Sequence, residues 1–258
     1  MRYDQPMCTI LIGLGTDARW PLVIAANRDE FLHRRSAPPR VLLDHPRVVG
    51  GLDLVAGGTW MGVTPGGFFA GLTNQPHLPG RTAPRSRGEV VLEVLRLGSE
   101  ARTWLAALPT AEFQPFNLVF GTADGLTVAY ARPGEPTWFE EVPPGFHVLP
   151  NDTLNSPRFP KVERARALTD GHLESMTLAL HDEWTPPDLP PRPPHLDGAT
   201  HAAVHRLRVR TPVYGTVSAT LLALEPGRVV RYAFAAGDGP FAEVTDRVYE
   251  AAPMLGDP

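Results

Sequence analysis

Apolar runs in this chain occur in pairs, and each pair is separated by a connection too short to hold a helix. Cys8–Leu14 and Pro21–Ala26 are joined through Gly15, Thr16 and Asp17, and Thr59–Thr64 and Phe68–Thr73 flank Pro65-Gly66-Gly67. Phe116–Thr122 and Leu126–Ala131 flank Ala123-Asp124-Gly125, while Ser218–Glu225 and Arg228–Ala235 flank Pro226-Gly227. Runs of this length bounded by Gly, Pro and Asp read as strands, and such tight links force neighbouring strands to run antiparallel. Helical patterns fall between the pairs. Ser86-Arg87-Gly88-Glu89 has the spacing of a capping box and precedes Val90, Val91, Val94 and Leu95 on one helical face. Glu100–Leu108 and Lys161–Leu168 are two further helices, and the proline-rich Thr185–Pro194 reads as an exposed loop. Without regular βαβ alternation, the class is α+β, with antiparallel sheets covered by helices. No repeat or linker divides the chain, so one domain over 1–258 is the simplest organisation, with 1–7 a leader or mis-assigned start and 185–198 a loop.

Composition narrows the function. The 43% apolar and 20% charged residues suit a globular protein with a sizeable core. A net charge of −4 without a Lys/Arg block argues against nucleic acid and against a basic membrane-surface helix. No apolar run approaches the ~20 residues that span a bilayer, and the run Thr9–Leu14 is too short for a signal peptide. A cytoplasmic location is expected. One cysteine excludes an intrachain disulfide. Lys161 is the single lysine among 24 basic side chains, which hints at a local need for an ammonium.

Two motifs are set aside. Gly13-Leu14-Gly15-Thr16-Asp17-Ala18 fits the dinucleotide fingerprint, but Pro21 opens the next strand before any phosphate-binding helix could form. His201 and His205 share a helical face with His195 nearby, yet no third ligand or carboxylate partner accompanies them, so no metal is expected.

Cys8 by itself reads as a small buried apolar residue. Met7 changes that reading, because an initiator methionine is removed ahead of a small residue, leaving Cys8 at the N-terminus. Such a residue carries a thiol nucleophile and, in its own α-amine, a base with a reference pKa near 7.7–8.0. Asn27-Arg28-Asp29-Glu30 follows the apolar run Leu22–Ala26 and is read as marking the strand's end. It is either a solvated loop with surface ion pairs or a site in which Asp29 orients the amine and Arg28 holds a thiolate or a substrate anion. Asn74 and Asn151 are turn residues or oxyanion donors. Trp60, Phe68, Phe69 and Phe31 line either an acyl pocket or the core.

Taken together, Met7-Cys8, PLVIAANRDEF at Pro21–Phe31, AGGTWMGV at Ala56–Val63, FAGLTNQP at Phe69–Pro76, SRGE at Ser86–Glu89, FNLVF at Phe116–Phe120, GFHVLPN at Gly145–Asn151, PRFPKV at Pro157–Val162 and YGTVSATLL at Tyr214–Leu222 resemble the NRDE family. That family includes the eukaryotic transport and Golgi organisation protein 2, and it is similar in outline to the cysteine N-terminal-nucleophile hydrolases. The resemblance implies a four-layer αββα sandwich. It implies Cys8 as nucleophile, Arg28 and Asp29 as its partners, Asn74 as one oxyanion donor and Asn151, or else Asn155, as the other. Asn27, Glu30, Trp60, Arg87 and Lys161 are the expected substrate contacts. Two departures stand out: Arg28 and Asp29 are adjacent where the hydrolases separate them by two residues, and Val217 occupies a position that is often arginine. Arg208 or Arg210 could substitute for that arginine.

The expected activity is hydrolysis or transfer at a linear amide or related acyl bond of a small molecule, without a cofactor. The alternative is a non-enzymatic carrier of haem, acyl-CoA or lipid, in which Cys8 or a histidine would ligate iron.

Overall fold

The computed structural model describes residues 8–76, 82–194 and 196–249. Met7 and His195 lie outside these, so the start at Met7 and the third histidine are expectations on undescribed residues.

Thirteen strands form two antiparallel sheets. The first contains β1 (Thr9–Leu14), β2 (Leu22–Phe31), β10 (Gly145–Leu149), β11 (Tyr214–Glu225), β12 (Arg228–Ala236) and β13 (Ala242–Glu243), in the order β10-β1-β2-β11-β12-β13. The second runs in chain order from β3 (Ser36–Asp44) through β4 (Arg47–Asp53), β5 (Met61–Val63), β6 (Phe69–Asn74), β7 (Phe116–Thr122) and β8 (Gly125–Ala131) to β9 (Trp138–Val142). The four anticipated hairpins are all present. Strands β3, β4, β9 and β10 lack clean apolar runs and were not anticipated. Their burial is mixed because each lies at or near a sheet edge, where one side needs no apolar cover.

Each sheet buries both faces, which creates four layers. Ile10, Ile12 and Ile24 of the first sheet meet Val49, Met61, Val63, Phe69, Val119 and Val128 of the second in a central core. Behind the first sheet, Leu11, Val23, Ala25 and Leu221 pack on α3 (Pro160–Leu168) and α4 (Leu173–Ala179). Behind the second, Ala70, Leu72, Leu118 and Ala129 pack on α1 (Arg87–Leu97) and α2 (Ala101–Ala106). Two short helices, α5 (Gly198–Val204) and α6 (Asp246–Tyr249), complete the described set. The arrangement is the αββα sandwich. None of the described helices is long and apolar enough to cross a membrane.

Helix α1 forms as its sequence dictates. Ser86 Oγ accepts from the Gly88 N–H at 3.2 Å, and Glu89 Oε1 accepts from the Ser86 N–H at 3.1 Å. Val90, Val91, Val94 and Leu95 are all buried. Two glycines then let the helix start touch the loop before β5: a Cβ on Gly58 would lie 2.5 Å from the Gly88 carbonyl carbon. This backbone contact seats Arg87 and Trp60 on the same cavity.

Gly58→Ala is therefore expected to lower stability by about 1–3 kcal/mol through overpacking. Urea denaturation should show a lower midpoint with an unchanged slope.

Candidate active site

Side chains alternate across a strand, and this fixes what faces the cavity. On β1, Ile10 and Ile12 enter the central core while Leu11 packs on the helices. Cys8 shares the parity of Ile10, so its thiol turns inward between the sheets. There it borders a cavity of about 270 Å³ together with Arg28, Glu30, Trp60, Asn74 and Arg87.

β2 does not end at Ala26. It continues through the polar stretch to Phe31, because β11 pairs with it that far, while β1 pairs with it as far as Asn27. The expectation of a strand end at Asn27 is thus corrected: the ladder satisfies the backbone here whatever the side chains are. Alternation then splits the motif. Arg28 and Glu30 follow Ile24 and Ala26 into the cavity, while Asn27 and Asp29 follow Val23 and Ala25 towards the helices. Adjacent in sequence, Arg28 and Asp29 stand on opposite faces of one sheet.

On the cavity side, the Arg28 guanidinium lies 4.4 Å over the Trp60 ring. Its Nη2 is 3.6 Å from Glu30 Oε2 and 3.7 Å from Asp53 Oδ2. Arg34 holds Asp53 more tightly, at 2.9 Å, and approaches Glu30 at 3.5 Å. Burial pushes the Asp53 carboxyl up, but the Val55 and Ala56 N–H groups and Arg34 outweigh it and keep the group below its usual range. Arg87 donates to the Pro115 carbonyl at 3.3 Å, and burial draws its guanidinium down to about 10.

The thiol is insulated. Burial, then the Asp29 charge, pushes Cys8 up to about 12, against the Asp29 carbonyl that accepts from Sγ at 3.9 Å and the pull of Arg28. Ionisation at neutral pH thus requires a proton acceptor placed against the sulfur.

Behind the sheet is a second buried polar group. Lys161, on α3, is fully buried and donates to Thr9 Oγ1 at 3.2 Å. Asn27 Nδ2 donates to the carbonyls of Leu180 and Leu207 at 2.8 and 3.0 Å. Thr216 Oγ1 donates to Asp29 Oδ1 at 2.5 Å. Burial raises Asp29 to about 6, opposed first by Lys161, then by the Thr216 hydrogen bond, Arg208 and Arg28. Lys161 is lowered by burial, opposed by Asp29 and Cys8. His205 is pushed down to about 4 by burial and by the charges of Lys161 and His201.

Of the expected site residues, the structure brings Cys8, Arg28, Glu30, Trp60, Asn74 and Arg87 around one cavity. Asn27, Asp29 and Lys161 do not border it, and the expectation that Asn27 and Lys161 touch substrate is revised: strand parity turns Asn27 away, and Lys161 reaches the far side of the sheet from α3. Asn151 also stands outside the lining, and its Nδ2 donates to the backbone carbonyl of Asn74 at 2.7 Å. It fixes the strand end that presents Asn74. Asn155 is used locally, its Oδ1 accepting from the Val148 N–H at 3.0 Å. Of the aromatics, Phe31 and Trp60 border the cavity, whereas Phe69 is core and Phe68 packs outside the second sheet. Arg208 pairs with Asp238 and Glu183, and Arg210 pairs with both as well, so neither lines the cavity in place of Val217.

Sequence reasoning did not pick out Arg34, Asp53 or Ser218. Arg34 lies in a turn and Asp53 at the end of β4, neither within a recognisable motif. Ser218 sits opposite Arg28 in the β2–β11 register, buried, with Oγ lacking a hydrogen-bond partner. Its place in the block Gly215-Thr216-Val217-Ser218 is the signal that could have identified it. His201 and His205 meet edge-on at 4.9 Å, and among the described residues no three His, Cys, Asp or Glu side chains cluster to hold a metal ion.

Asp29 and His205 make opposed contributions to acid stability. A carboxyl raised in the folded state is protonated there first, so its contribution falls as pH rises from about 4 to about 6. A histidine lowered when folded binds its proton first in the unfolded chain, so its contribution rises with pH between about 4 and 6.5. Relative to wild type, Asp29→Asn is expected to make stability climb more steeply with pH across this window, and His205→Gln less steeply, each by on the order of 1–3 kcal/mol. Denaturant titrations at four pH values check both signs.

The sequence and the fold agree with known proteins. Residues 7–233 match the family described as Transport and Golgi organisation 2. The Transport and Golgi organization protein 2 homolog of Bos taurus is 31% identical over 234 residues, covering 79% of this chain and 82% of the relative. The Homo sapiens homolog is 30% identical over 231 residues with the same coverage. Among solved structures, the Caenorhabditis elegans ortholog of N-acylethanolamine-hydrolyzing acid amidase superposes with a TM-score of 0.54 at 13% identity, over 84% of this chain and 92% of that one. That likeness is one of fold. The chain belongs to the Transport and Golgi organisation 2 family.

Proposed function

We propose that this protein is an N-terminal-cysteine hydrolase or acyltransferase acting on a linear amide or related acyl bond of a small molecule. The observation that carries the reading is the position of Cys8: the one thiol of the chain borders the cavity between the sheets, one residue after a methionine. The sandwich is shared with a protein named as an amide-hydrolysing enzyme.

In the proposed reaction the α-amine of Cys8, freed by removal of Met7, takes the thiol proton. Sγ attacks the carbonyl carbon, and Asn74 donates to the oxyanion. The ammonium returns its proton to the leaving amine as the C–N bond breaks, leaving a thioester on Sγ. Water, deprotonated by the same amine, releases the acid; transfer to another nucleophile follows the same course. Asp29 acts from behind the sheet through its carbonyl, which touches Sγ, and through its carboxylate charge.

A haem-carrying role fits the cavity poorly. Three arginines and two carboxylates face a volume of about 270 Å³, a polar lining where a porphyrin needs a broad apolar slot.

Intact mass should show a chain that starts at Cys8. Screened against N-acyl amides, that protein should release amine, and Cys8→Ser or an uncleaved tag before Cys8 should lower the rate at least about a hundredfold. Activity that survives both changes would refute the mechanism. A Soret shift on adding haem, abolished in Cys8→Ala, would favour the carrier.

A further inference from the structure

The charges around the cavity do not balance. Arg28, Arg34 and Arg87 face Glu30 and Asp53, which leaves one guanidinium in excess. Both carboxylates are shared between Arg28 and Arg34. Arg87 makes one hydrogen bond, to a backbone carbonyl, and no ion pair among the described residues. A guanidinium offers five donors, so most of its capacity is unused. Arg28, on the other wall, is held only loosely, its Nη2 lying 3.6 Å from Glu30 and 3.7 Å from Asp53. The two arginines border one cavity, and the first turn of α1, an 11-residue helix, opens onto it at Ser86 and Gly88. The positive end of the helix dipole adds to the same potential.

We propose that Arg87, supported by the charge of the Arg28 guanidinium, forms an anion subsite beside Cys8, and that the substrate is an acyl compound bearing a single carboxylate, an N-acyl amino acid in chemical class. One excess positive charge matches a monoanion. A phosphate monoester, at ≈ −1.5 to −2, would leave the cavity with the opposite imbalance. The planar fork of arginine suits a carboxylate, and Trp60, Phe31 and Leu72 provide apolar surface for the acyl portion. The assignment of which bond breaks rests on the hydrolase reading; the anion subsite does not.

Calorimetry on full-length Cys8→Ala separates the two. N-hexanoylglycine is expected to bind at least about tenfold more tightly than neutral N-hexanoylglycinamide, a difference of about 1.4 kcal/mol. Arg87→Gln should reduce the acid to the level of the amide without changing amide binding, and Arg87→Lys should retain part of the preference. Equal binding of acid and amide, a preference that survives Arg87→Gln, tighter binding of N-hexanoyl-phosphoethanolamine, or no binding of any of the three overturns the proposal. Selective binding with no release of glycine by the wild-type chain would sustain the subsite and refute the hydrolase reading. Release from acid and amide at equal rates would do the reverse.

Discussion

The two-residue period of β2 governs this molecule. Four consecutive polar residues, Asn27 to Glu30, lie in an inner strand of a sheet, paired with β11 along their length and with β1 as far as Asn27. A strand in that position has no solvent face. Its side chains must enter either the inter-sheet space or the layer beneath the helices, and burial without partners would cost several kcal/mol for each. Each face therefore carries its own compensating set. Arg28 and Glu30 meet Trp60, Arg34 and Asp53, and Asn27 and Asp29 meet backbone carbonyls and Thr216.

The cavity follows from that split. Farther along the sheets, the inter-sheet space is filled by Ile10, Ile12, Ile24 and their partners. At the level of Cys8 the same parity delivers Arg28, and charged side chains resist close packing against one another. The second sheet closes the space from its side with Asn74 at the end of β6, and the Gly58–Gly88 contact brings in the start of α1. An apolar residue at position 28 would extend the core to the thiol and leave no room for a ligand.

Much of this was legible in the sequence, for reasons that can be named. The hairpins and the capped helix depend on local turn and cap chemistry, so Pro226-Gly227 and Ser86–Glu89 announce themselves. Cys8, Arg28, Trp60, Asn74 and Arg87 belong to short motifs and were found with them. The pairing partners of β2 are not local: β11 begins almost two hundred residues later. Without them, Asn27–Glu30 resembles a loop, and the opposite orientations of Arg28 and Asp29 stay hidden. Lys161 misleads for a related reason, since a lone lysine suggests a ligand contact when its ammonium lies on the far side of a sheet.

The two faces are coupled through the thiol. Burial first, and then the Asp29 charge behind the sheet, push Cys8 up to about 12. Lys161 counteracts Asp29 from the same side, and the loss of its ammonium would remove the largest charge opposing that carboxylate. A proton acceptor on the cavity side would have to share space with three guanidinium groups, whose charge would weaken an imidazole as a base. In the proposed reaction the acceptor is the cysteine's own amine, bonded to the same Cα as the side chain it serves. That geometry needs no neighbouring imidazole. It explains how a cavity dominated by arginine and carboxylate could support acyl transfer, with the charged walls free to select the substrate.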